Sequence, residues 1–263
     1  MKVAGLHIYP VKSCAGISVQ HATVLERGFE FDRRFMVVDA VHRFMTQRKH
    51  PRLALIRTAI ENDILSLSVD GQSDLRIALQ PAGGESITVT VWDDTLNAIS
   101  VSQEPNLWLS EFLEAPCKLV HMPETTVRLV DGEYATNNEH YSFADAFPFL
   151  LTSQESLDEL NHRLAVPVPM NRFRPNIVVS GFHPFAEDEW RVVQIGEVRM
   201  RVAKPCTRCS TTTVDQSTGV RGIEPLHTLN TFRKRGGDVL FGQNLIHETR
   251  GVISVGDAVD VVE

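Results

Sequence analysis

Apolar and polar residues alternate with a period of two in several segments, and this feature constrains the fold most strongly. The alternation runs through residues 64–69, 86–92 and 197–202. Successive side chains of a β-strand point to opposite faces, so the pattern predicts strands with one buried and one hydrated face. Asp70-Gly71 between such runs predicts a hairpin. Residues 252–262 predict either a closing strand or a hairpin through Gly256-Asp257.

Only three segments predict helices. Thr152-Ser153-Gln154-Glu155 has the form of a capping box and precedes leucines at helical spacing. Residues 106–114 predict a shorter helix, and a third begins at Glu224-Pro225-Leu226. Because strands dominate and helices are inserted singly, the expected fold class is mainly β or α+β with a barrel architecture. Residues 124–140 are polar and aperiodic, which predicts a loop beside a functional site.

Charge and hydropathy exclude several classes of function. The chain has 263 residues and a formal net charge of −7, whereas nucleic-acid binding needs a basic face. No apolar run reaches the ~18–20 residues of a membrane span, and the first ten residues are too interrupted for a signal peptide. We therefore expect a cytoplasmic protein with neither a membrane nor a nucleic-acid partner. Its four cysteines are then expected to be reduced rather than disulfide-paired.

Three short segments combine cations with small polar residues where predicted strands begin or end. They are Tyr9–Cys14 with Lys12 and Ser13, Asp32–Phe35 with Arg34, and Asn171–Asn176 with Arg174. Cations beside hydroxyl or amide groups suit a phosphate or another oxyanion. The alternative interpretation of each segment is a solvated charged turn.

A fourth segment, Cys206-Thr207-Arg208-Cys209, follows the alternating run at 197–202. A C-x-x-C pair can be half of a zinc site or a redox pair, but a second pair is absent and a hydroxyl-rich run replaces the helix that a redox pair requires. A single thiolate beside Lys204 and Arg208 is a third possibility, suited to a soft metal centre. Spacing alone leaves open metal or cofactor ligation and buried structural thiols.

Other aromatic and thiol residues have simpler interpretations. Trp92, Trp108 and Trp190 are expected to pack in the core, and Cys117 to be a buried thiol. Cys14 either packs beneath the first cationic segment or belongs to it.

In their order and spacing, the four segments resemble the MOSC-domain family, named for the C-terminal part of molybdenum cofactor sulfurases. The whole chain is similar to the group that contains the mitochondrial amidoxime-reducing components and their bacterial relatives. Further markers are Pro51-Arg52-Leu53, Asp145, Phe149-Leu150, Glu224-Pro225-Leu226 and Leu240-Phe241-Gly242-Gln243. The resemblance implies a MOSC N-terminal β-barrel-like domain over residues 1–118 and a MOSC β-barrel with a few peripheral helices over residues 119–263.

The resemblance also implies a cofactor, the pterin-based molybdenum cofactor (Mo-molybdopterin), held between the two domains. Cys209 matches the molybdenum ligand, whereas Cys206 matches a cysteine that is not the ligand. The positions that match cofactor-binding residues are Lys12, Ser13, Arg34, Arg174, Asn176, Thr207 and Arg208. Asp145 matches a catalytic-site acid, which could donate a proton or orient another group. Ala146 and Phe147 depart from the Thr and Ser of eukaryotic members, and pyridoxal phosphate, although associated with the family, is not expected here.

The function implied by the resemblance is reduction of small N-hydroxylated compounds: hydroxylamines, amidoximes and N-hydroxylated bases. The chain lacks the C-x4-C-x2-C spacing of a plant-type iron–sulfur cluster, so we expect a separate electron donor, either a flavin reductase or an iron–sulfur or haem protein. One alternative is a non-catalytic carrier that delivers the molybdenum cofactor or its sulfur. Another is a thiol oxidoreductase that uses Cys206 and Cys209.

Overall fold

A computed structural model describes residues 1–263 and contains many strands and three α-helices. The strands are β1 (Lys2–Ile8), β2 (Ile17–Val19), β3 (His21–Leu25), β4 (Gly28–Phe29), β5 (Phe35–Asp39), β6 (Arg57–Glu61), β7 (Ile64–Ser68), β8 (Leu75–Ala78), β9 (Ser86–Val91), β10 (Asp94–Ser100), β11 (Cys117–His121), β12 (Phe149–Ser153), β13 (Ile177–Ser180), β14 (Val192–Ile195), β15 (Val198–Thr207), β16 (Lys234–Arg235), β17 (Asp238–His247), β18 (Gly251–Ser254) and β19 (Val259–Val261). The helices are α1 (Gln103–Leu113), α2 (Gln154–Arg163) and α3 (Leu226–Phe232). Short 3₁₀ helices cover Pro51–Leu55, Met170–Arg172, Ala186–Asp188 and Ser210–Thr213.

The largest sheet has nine strands in the order β19-β14-β15-β17-β12-β13-β1-β2, with β16 beside β17. Only the β12–β13 pair is parallel. The sheet curls, because the start of β1 also bonds the segment before β19: Val3 N–H donates to Asp257 O at 2.9 Å, and Gly256 N–H donates to Val3 O at 2.9 Å. This closure encloses a core that includes Leu6, Phe149 and Leu245.

Three smaller sheets complete the fold: β5-β11-β10-β9, β6-β7-β8 and β18-β3-β4. The first two surround a second core that contains Phe35, Leu53 and Leu65. The predicted fold class is therefore confirmed: the chain is mainly β, with a few helices at the periphery and with curled sheets. No helix is both long enough and apolar enough to span a membrane.

The sheets do not follow the order of the two sequence domains. β1 and β2 belong to the same sheet as β12–β15, β17 and β19, so the first residues of the chain help to build the C-terminal barrel. The expected boundary at residue 118 falls within β11, which pairs with β5 and β10. The division into 1–118 and 119–263 stays a prediction from the sequence.

Several local predictions are confirmed. β7 and β8 pair as antiparallel neighbours across Asp70-Gly71, and all three predicted helices form. The hairpin alternative for residues 252–262 is wrong, because β18 pairs with β3 whereas β19 pairs with β14. Residues 252–262 thus close two different sheets rather than folding onto each other.

The start of α2 differs from the predicted capping box by one residue. Thr152 is held in β12 opposite Val178 and is fully buried, so it cannot turn toward the helix. Ser153 is the N-cap, and its Oγ accepts a hydrogen bond from Ser156 N–H at 3.1 Å. Ser153 Oγ also donates to the buried carboxylate of Glu187 at 3.0 Å. One hydroxyl therefore caps the helix and satisfies a buried acid.

We predict that Ser153→Ala destabilises the protein by about 1–3 kcal/mol, because it removes the cap and one donor to buried Glu187. Urea unfolding monitored by circular dichroism measures the change. Thr152→Val is the matched control, since the Thr152 hydroxyl contacts only the Met170 sulfur, at 3.3 Å. A larger loss of unfolding free energy in Thr152→Val than in Ser153→Ala would show that Thr152, not Ser153, is the N-cap.

Candidate functional site

A cleft of about 280 Å³ lies where the two barrel-like parts meet. Its walls come from distant parts of the chain: the segment after β1, the turn before β5 and the loop after it, the turn between β9 and β10, the loop before β12, the segment before β13, and the end of β15 with the residues that follow it. The lining residues used below are Lys12, Ser13, Arg33, Arg48, Trp92, Asp145, Phe147, Arg174, Asn176, Lys204, Cys206, Thr207, Arg208 and Cys209.

Left-handed backbone conformations are frequent around this cleft. Ser13, Arg33, Trp92 and Arg174 have φ values of 70°, 49°, 55° and 57°. Such conformations are uncommon for residues other than glycine and require support from surrounding structure. Ser13, Arg33 and Trp92 lie in turns and Arg174 lies in the segment before β13, and all four residues line the cleft.

The structure brings together eight of the nine site residues that the sequence analysis named. Cys209, Asp145, Lys12, Ser13, Arg174, Asn176, Thr207 and Arg208 all line the cleft. Asn176 is 1% exposed, and both of its amide atoms bond within the protein. It therefore serves as an internal support for the wall rather than an open contact.

Arg34 is the residue that the structure does not place in the cleft. Its guanidinium donates to Met122 O at 3.0 Å and forms an ion pair with Glu124 at 2.5 Å. The preceding residue, Arg33, faces the cleft instead. Arg33 and Arg34 both precede β5, which begins at Phe35, and these neighbours have different surroundings: Arg33 lines the cleft, whereas Arg34 contacts Met122 and Glu124.

Arg33 is held in place by a buried framework. Its Nη1 donates to Asp32 at 2.6 Å and to Asn176 Oδ1 at 2.8 Å. The guanidinium groups of Arg33 and Arg174 lie 4.4 and 4.3 Å from the centroid of the Tyr9 ring. Tyr9 in turn donates its hydroxyl to Pro175 O at 3.0 Å. Cation–π contact and hydrogen bonds thus fix two cations at the cleft wall.

The cleft is strongly cationic although the chain as a whole is acidic. Six Lys and Arg residues line it, against one acid, Asp145. Lys12 and Arg33 have carboxylate partners, whereas Arg48, Arg174, Lys204 and Arg208 have none within salt-bridge distance. Arg208 Nε is buried without any hydrogen-bond partner. A buried, unpartnered donor in a cationic cleft is suited to binding an anion.

Lys12, Asp145 and Trp92 form a connected group on one wall. Lys12 Nζ donates to Asp145 Oδ1 at 2.5 Å and to Phe143 O at 2.7 Å. Trp92 Nε1–H also donates to Asp145 Oδ1, at 3.2 Å. The Lys12 side chain is 6% exposed and that of Asp145 is 72% exposed toward the cleft. The group therefore joins a buried ammonium to an open carboxylate.

The pKa values of this pair are shifted by their surroundings. Burial lowers the pKa of Lys12 to about 8, although Asp145 opposes the shift. The surrounding protein disfavours the charged form of Asp145, but the Lys12 ammonium and the Trp92 N–H outweigh this and hold its pKa below the usual range. At neutral pH Asp145 is consequently ionised.

The four cysteines have different environments. Burial raises the pKa of Cys14 to about 12, and Cys117 is 6% exposed, so both are packed thiols, as predicted for Cys117. Cys206 and Cys209 both line the cleft. Cys206 Sγ accepts a hydrogen bond from Arg208 Nη1 at 2.9 Å. Cys209 is exposed, and its Sγ contacts only the Thr211 hydroxyl, at 3.4 Å.

Sequence reasoning missed two cleft residues besides Arg33. Trp92 was expected in the core, yet it is 37% exposed and bonds Asp145. The Arg48 guanidinium lies 4.2 Å from the centroid of the Trp92 ring. The only sequence signal is the position of Trp92 at the end of the alternating segment 86–92, next to the polar residues Asp93 and Asp94.

The two parts of the chain match two known domains. Residues 1–116 match the MOSC N-terminal beta barrel domain, and residues 138–260 match the MOSC domain. The chain is 37% identical to mitochondrial amidoxime-reducing component 1 of Mus musculus and 35% identical to that of Homo sapiens. These alignments cover 98% of this chain and 81% or 82% of the relatives.

A third relative is the molybdenum cofactor sulfurase of Oryza sativa, which is 32% identical over 92% of this chain but only 32% of its own length. The two domain matches thus define a two-part MOSC-domain protein. The chain belongs to the MOSC-domain family that includes the amidoxime-reducing components and the molybdenum cofactor sulfurases.

The electrostatics of the cleft generate a direct prediction for Lys12. Its ammonium should titrate near pH 8 in the folded protein, and Asp145→Asn should lower that midpoint because it removes the opposing anion. The ¹³Cε chemical shift of labelled lysine measures both values. Glu124→Gln removes an acid outside the cleft and should leave the midpoint unchanged. A Lys12 midpoint close to the ordinary lysine value of ~10.4 would contradict the assigned environment.

Proposed function

We propose that this protein is a molybdenum-cofactor-dependent reductase of small N-hydroxylated compounds. The observation that carries the proposal is an exposed thiol, Cys209, at the end of a cleft with four cations that lack carboxylate partners. The names of the amidoxime-reducing relatives supply the reaction class. The cleft supplies groups that suit a phosphate-bearing cofactor and a soft metal.

The residues present fit the molybdenum cofactor in their chemistry. Arg174 and Arg208 would hold its phosphate, because neither has a carboxylate partner and Arg208 Nε lacks any partner. Ser13 and Thr207 would add hydroxyl contacts, and Cys209 would provide the thiolate ligand for molybdenum. When bound, the cofactor supplies the two-electron chemistry, and the protein supplies binding and orientation.

For an amidoxime, the overall change is cleavage of the N–O bond. R–C(NH₂)=N–OH takes up two electrons and two protons and gives R–C(NH₂)=NH and water. The chain must therefore admit the substrate, hold it with the N–OH group toward Cys209, and allow protons to arrive. Lys12 bears an exchangeable proton at the cleft wall and has a pKa lowered to about 8, so it can exchange that proton near neutral pH.

The electrons are assigned to a separate donor protein. The chain contains no cysteine spacing for a plant-type iron–sulfur cluster, and only Cys206 and Cys209 lie in the cleft. We propose a flavin reductase or a small iron–sulfur or haem protein as the reductant. Reduced artificial donors can replace it in an assay.

The second candidate function is carriage or delivery of the molybdenum cofactor or of its sulfur. The match to a molybdenum cofactor sulfurase favours this alternative, since that relative shares the same two-part region. The same cleft would then bind and release the cofactor. A carrier gives no turnover with reduced artificial donors, whereas a reductase converts an N-hydroxylated compound to its parent base under the same conditions.

The first prediction of this proposal concerns the two cleft thiols. Protein expressed in a host that makes the molybdenum cofactor should contain molybdenum, measured per chain by mass spectrometry. Cys209→Ala should lose the metal and the reduction of an amidoxime, whereas Cys206→Ala should keep molybdenum. Zinc or no metal in the wild type would overturn the reductase proposal. A reversible disulfide with metal-free activity would instead support a thiol oxidoreductase.

The second prediction compares two arginines, Arg208 inside the cleft and Arg34 outside it. Arg208→Gln should reduce retained cofactor roughly tenfold or more, because a hydrogen bond to a charged group contributes about 1.5–3 kcal/mol. Arg34→Gln removes one cation outside the cleft and should leave cofactor content nearly unchanged. Released pterin and molybdenum per folded chain are the measurements. Equal losses of bound cofactor in both variants would show that the overall charge of the protein, rather than the cleft wall, governs cofactor binding.

A further inference from the structure

Arg48 lines the cleft, but its guanidinium has neither a hydrogen bond nor a carboxylate partner in the protein. The two arginines assigned to the cofactor phosphate are different, because each also bonds a backbone carbonyl. Arg174 donates to Cys14 O at 2.6 Å, and Arg208 donates to Phe173 O at 2.6 Å. A guanidinium carries five N–H donors in a planar fork, so the whole donor set of Arg48 is available to a ligand.

An aromatic ring fixes the plane of this guanidinium. The central carbon of the Arg48 guanidinium lies 4.2 Å from the centroid of the Trp92 ring. Trp92 is itself held, because its Nε1–H donates to Asp145 Oδ1 at 3.2 Å and the Phe44 ring lies 5.2 Å away. A guanidinium that contacts an aromatic face keeps its N–H edge free. The fork is therefore oriented without using its hydrogen bonds.

The backbone at Arg48 is held by both parts of the chain. The preceding residue, Gln47, is fully buried, and its Nε2 donates to Ser13 O at 2.7 Å and to Gln216 Oε1 at 3.1 Å. Arg221 donates to Gln47 O at 3.1 Å and also to Arg48 O. Because these contacts constrain the backbone before a ligand arrives, binding at Arg48 costs less ordering.

The nearest acid does not neutralise Arg48. Asp145 is the only acidic residue that lines the cleft, and its carboxylate forms an ion pair with Lys12 at 2.5 Å. No salt bridge joins Asp145 to Arg48. The charge at Arg48 thus favours an anion over a cation.

We propose that the Arg48 guanidinium binds a carboxylate group of the substrate, away from its N–OH group, so that the protein acts best on N-hydroxylated compounds that carry this anion. The inference rests on the proposed function and specifies its substrate class. A carboxylate matches the site because it accepts two parallel N–H bonds from one guanidinium. Such a remote contact helps to orient the N–OH group toward Cys209. Trp92 is a positioning residue, since it acts through Arg48.

The first test measures binding and needs no turnover. It uses the full chain, purified from a host that makes the molybdenum cofactor, and isothermal titration calorimetry with benzoate and benzamide. These probes have nearly equal shape, but only benzoate is charged. The wild type should bind benzoate about fivefold or more tightly than benzamide. Arg48→Gln should remove this preference and leave benzamide affinity little changed.

Two matched variants remove one cation elsewhere. Arg43→Gln changes an exposed arginine of the same loop that does not line the cleft, and it should keep the benzoate preference. Lys204→Gln changes a cleft cation on β15 and should keep most of the preference. A loss in Lys204→Gln equal to that in Arg48→Gln would show that the general potential of the cleft, rather than Arg48, attracts the anion, and would overturn the inference.

Two substitutions of Trp92 test its positioning role. Trp92→Phe keeps an aromatic face for Arg48 but removes the N–H donor to Asp145, whereas Trp92→Leu removes both. The benzoate preference should be largely retained in Trp92→Phe and should fall several-fold in Trp92→Leu, with benzamide affinity retained in both. An unchanged preference in Trp92→Leu would overturn this role.

The second test measures substrate selection. Benzamidoxime is compared with para-carboxylated benzamidoximes in which zero, one or two methylenes separate the ring from the carboxylate. In the wild type at least one of these anionic compounds should have kcat/KM about fivefold or more above that of benzamidoxime, mainly through a lower KM. Arg48→Gln should bring the two values together and leave benzamidoxime turnover nearly unchanged.

The outcomes separate this inference from the proposed function. If Arg48→Gln keeps the benzoate preference, or loses bound pterin and molybdenum as Arg208→Gln is expected to, the inference is overturned. If benzoate binds through Arg48 but no carboxylated substrate is preferred, the substrate class is overturned. If benzoate binds through Arg48 but no amidoxime is reduced, the carboxylate site stands and the reductase proposal fails.

Discussion

Strand β1 pairs with β13 inside the nine-stranded sheet, and the cleft depends on this pairing. Beyond β1 the chain immediately contacts the start of β5, where Lys12 N–H donates to Phe35 O at 2.8 Å and Phe35 N–H donates to Pro10 O at 3.0 Å. Residues 7–12 therefore bond to the C-terminal barrel at one end and to the N-terminal sheets at the other. This short segment brings Lys12 to Asp145, a residue 133 positions away in the chain. It acts together with the hydrogen bond from Arg33 to Asn176 Oδ1, which joins the same two walls of the cleft.

The same arrangement explains how an acidic chain maintains a cationic cleft. Like charges in a confined space repel, so each cation needs local support. Arg33 and Arg174 receive it from the Tyr9 ring, and Arg208 receives it from Phe173 O at 2.6 Å. An aromatic face and carbonyl oxygens hold Arg174 and Arg208 without a carboxylate partner, whereas Arg33 is also paired with Asp32. The positive potential of the cleft therefore remains available to an anionic ligand.

The sequence predicts the fold more completely than it predicts the site. Period-two alternation predicts strands because burial of one face is a local property, and it was correct for β7 and β9. Placement of side chains in the cleft depends on turns whose handedness the alternation does not encode. Arg33 and Arg34 are adjacent in sequence, yet only Arg33 lines the cleft, and its backbone has a left-handed φ of 49°. Trp92 was likewise assigned to the core because its exposure results from a turn and from a partner, Asp145, 53 positions away.

Cys206, within β15, and Cys209, just beyond its end, have different surroundings although they are close in sequence. Arg208 lies between them in the sequence, and its Nη1 contacts the sulfur of Cys206 at 2.9 Å. That contact occupies Cys206 and orients the guanidinium, whose Nε remains free in the cleft wall. Cys209 follows the end of the strand and precedes the 3₁₀ turn Ser210–Thr213, so its thiol projects without a strong partner. A thiol that binds a metal must give up its proton and its existing hydrogen bonds. Of the two thiols, Cys209 has the weaker existing contacts. The sulfur of Cys206 is therefore held by Arg208, and under the proposed function the exposed thiol of Cys209 is the one that would bind the metal.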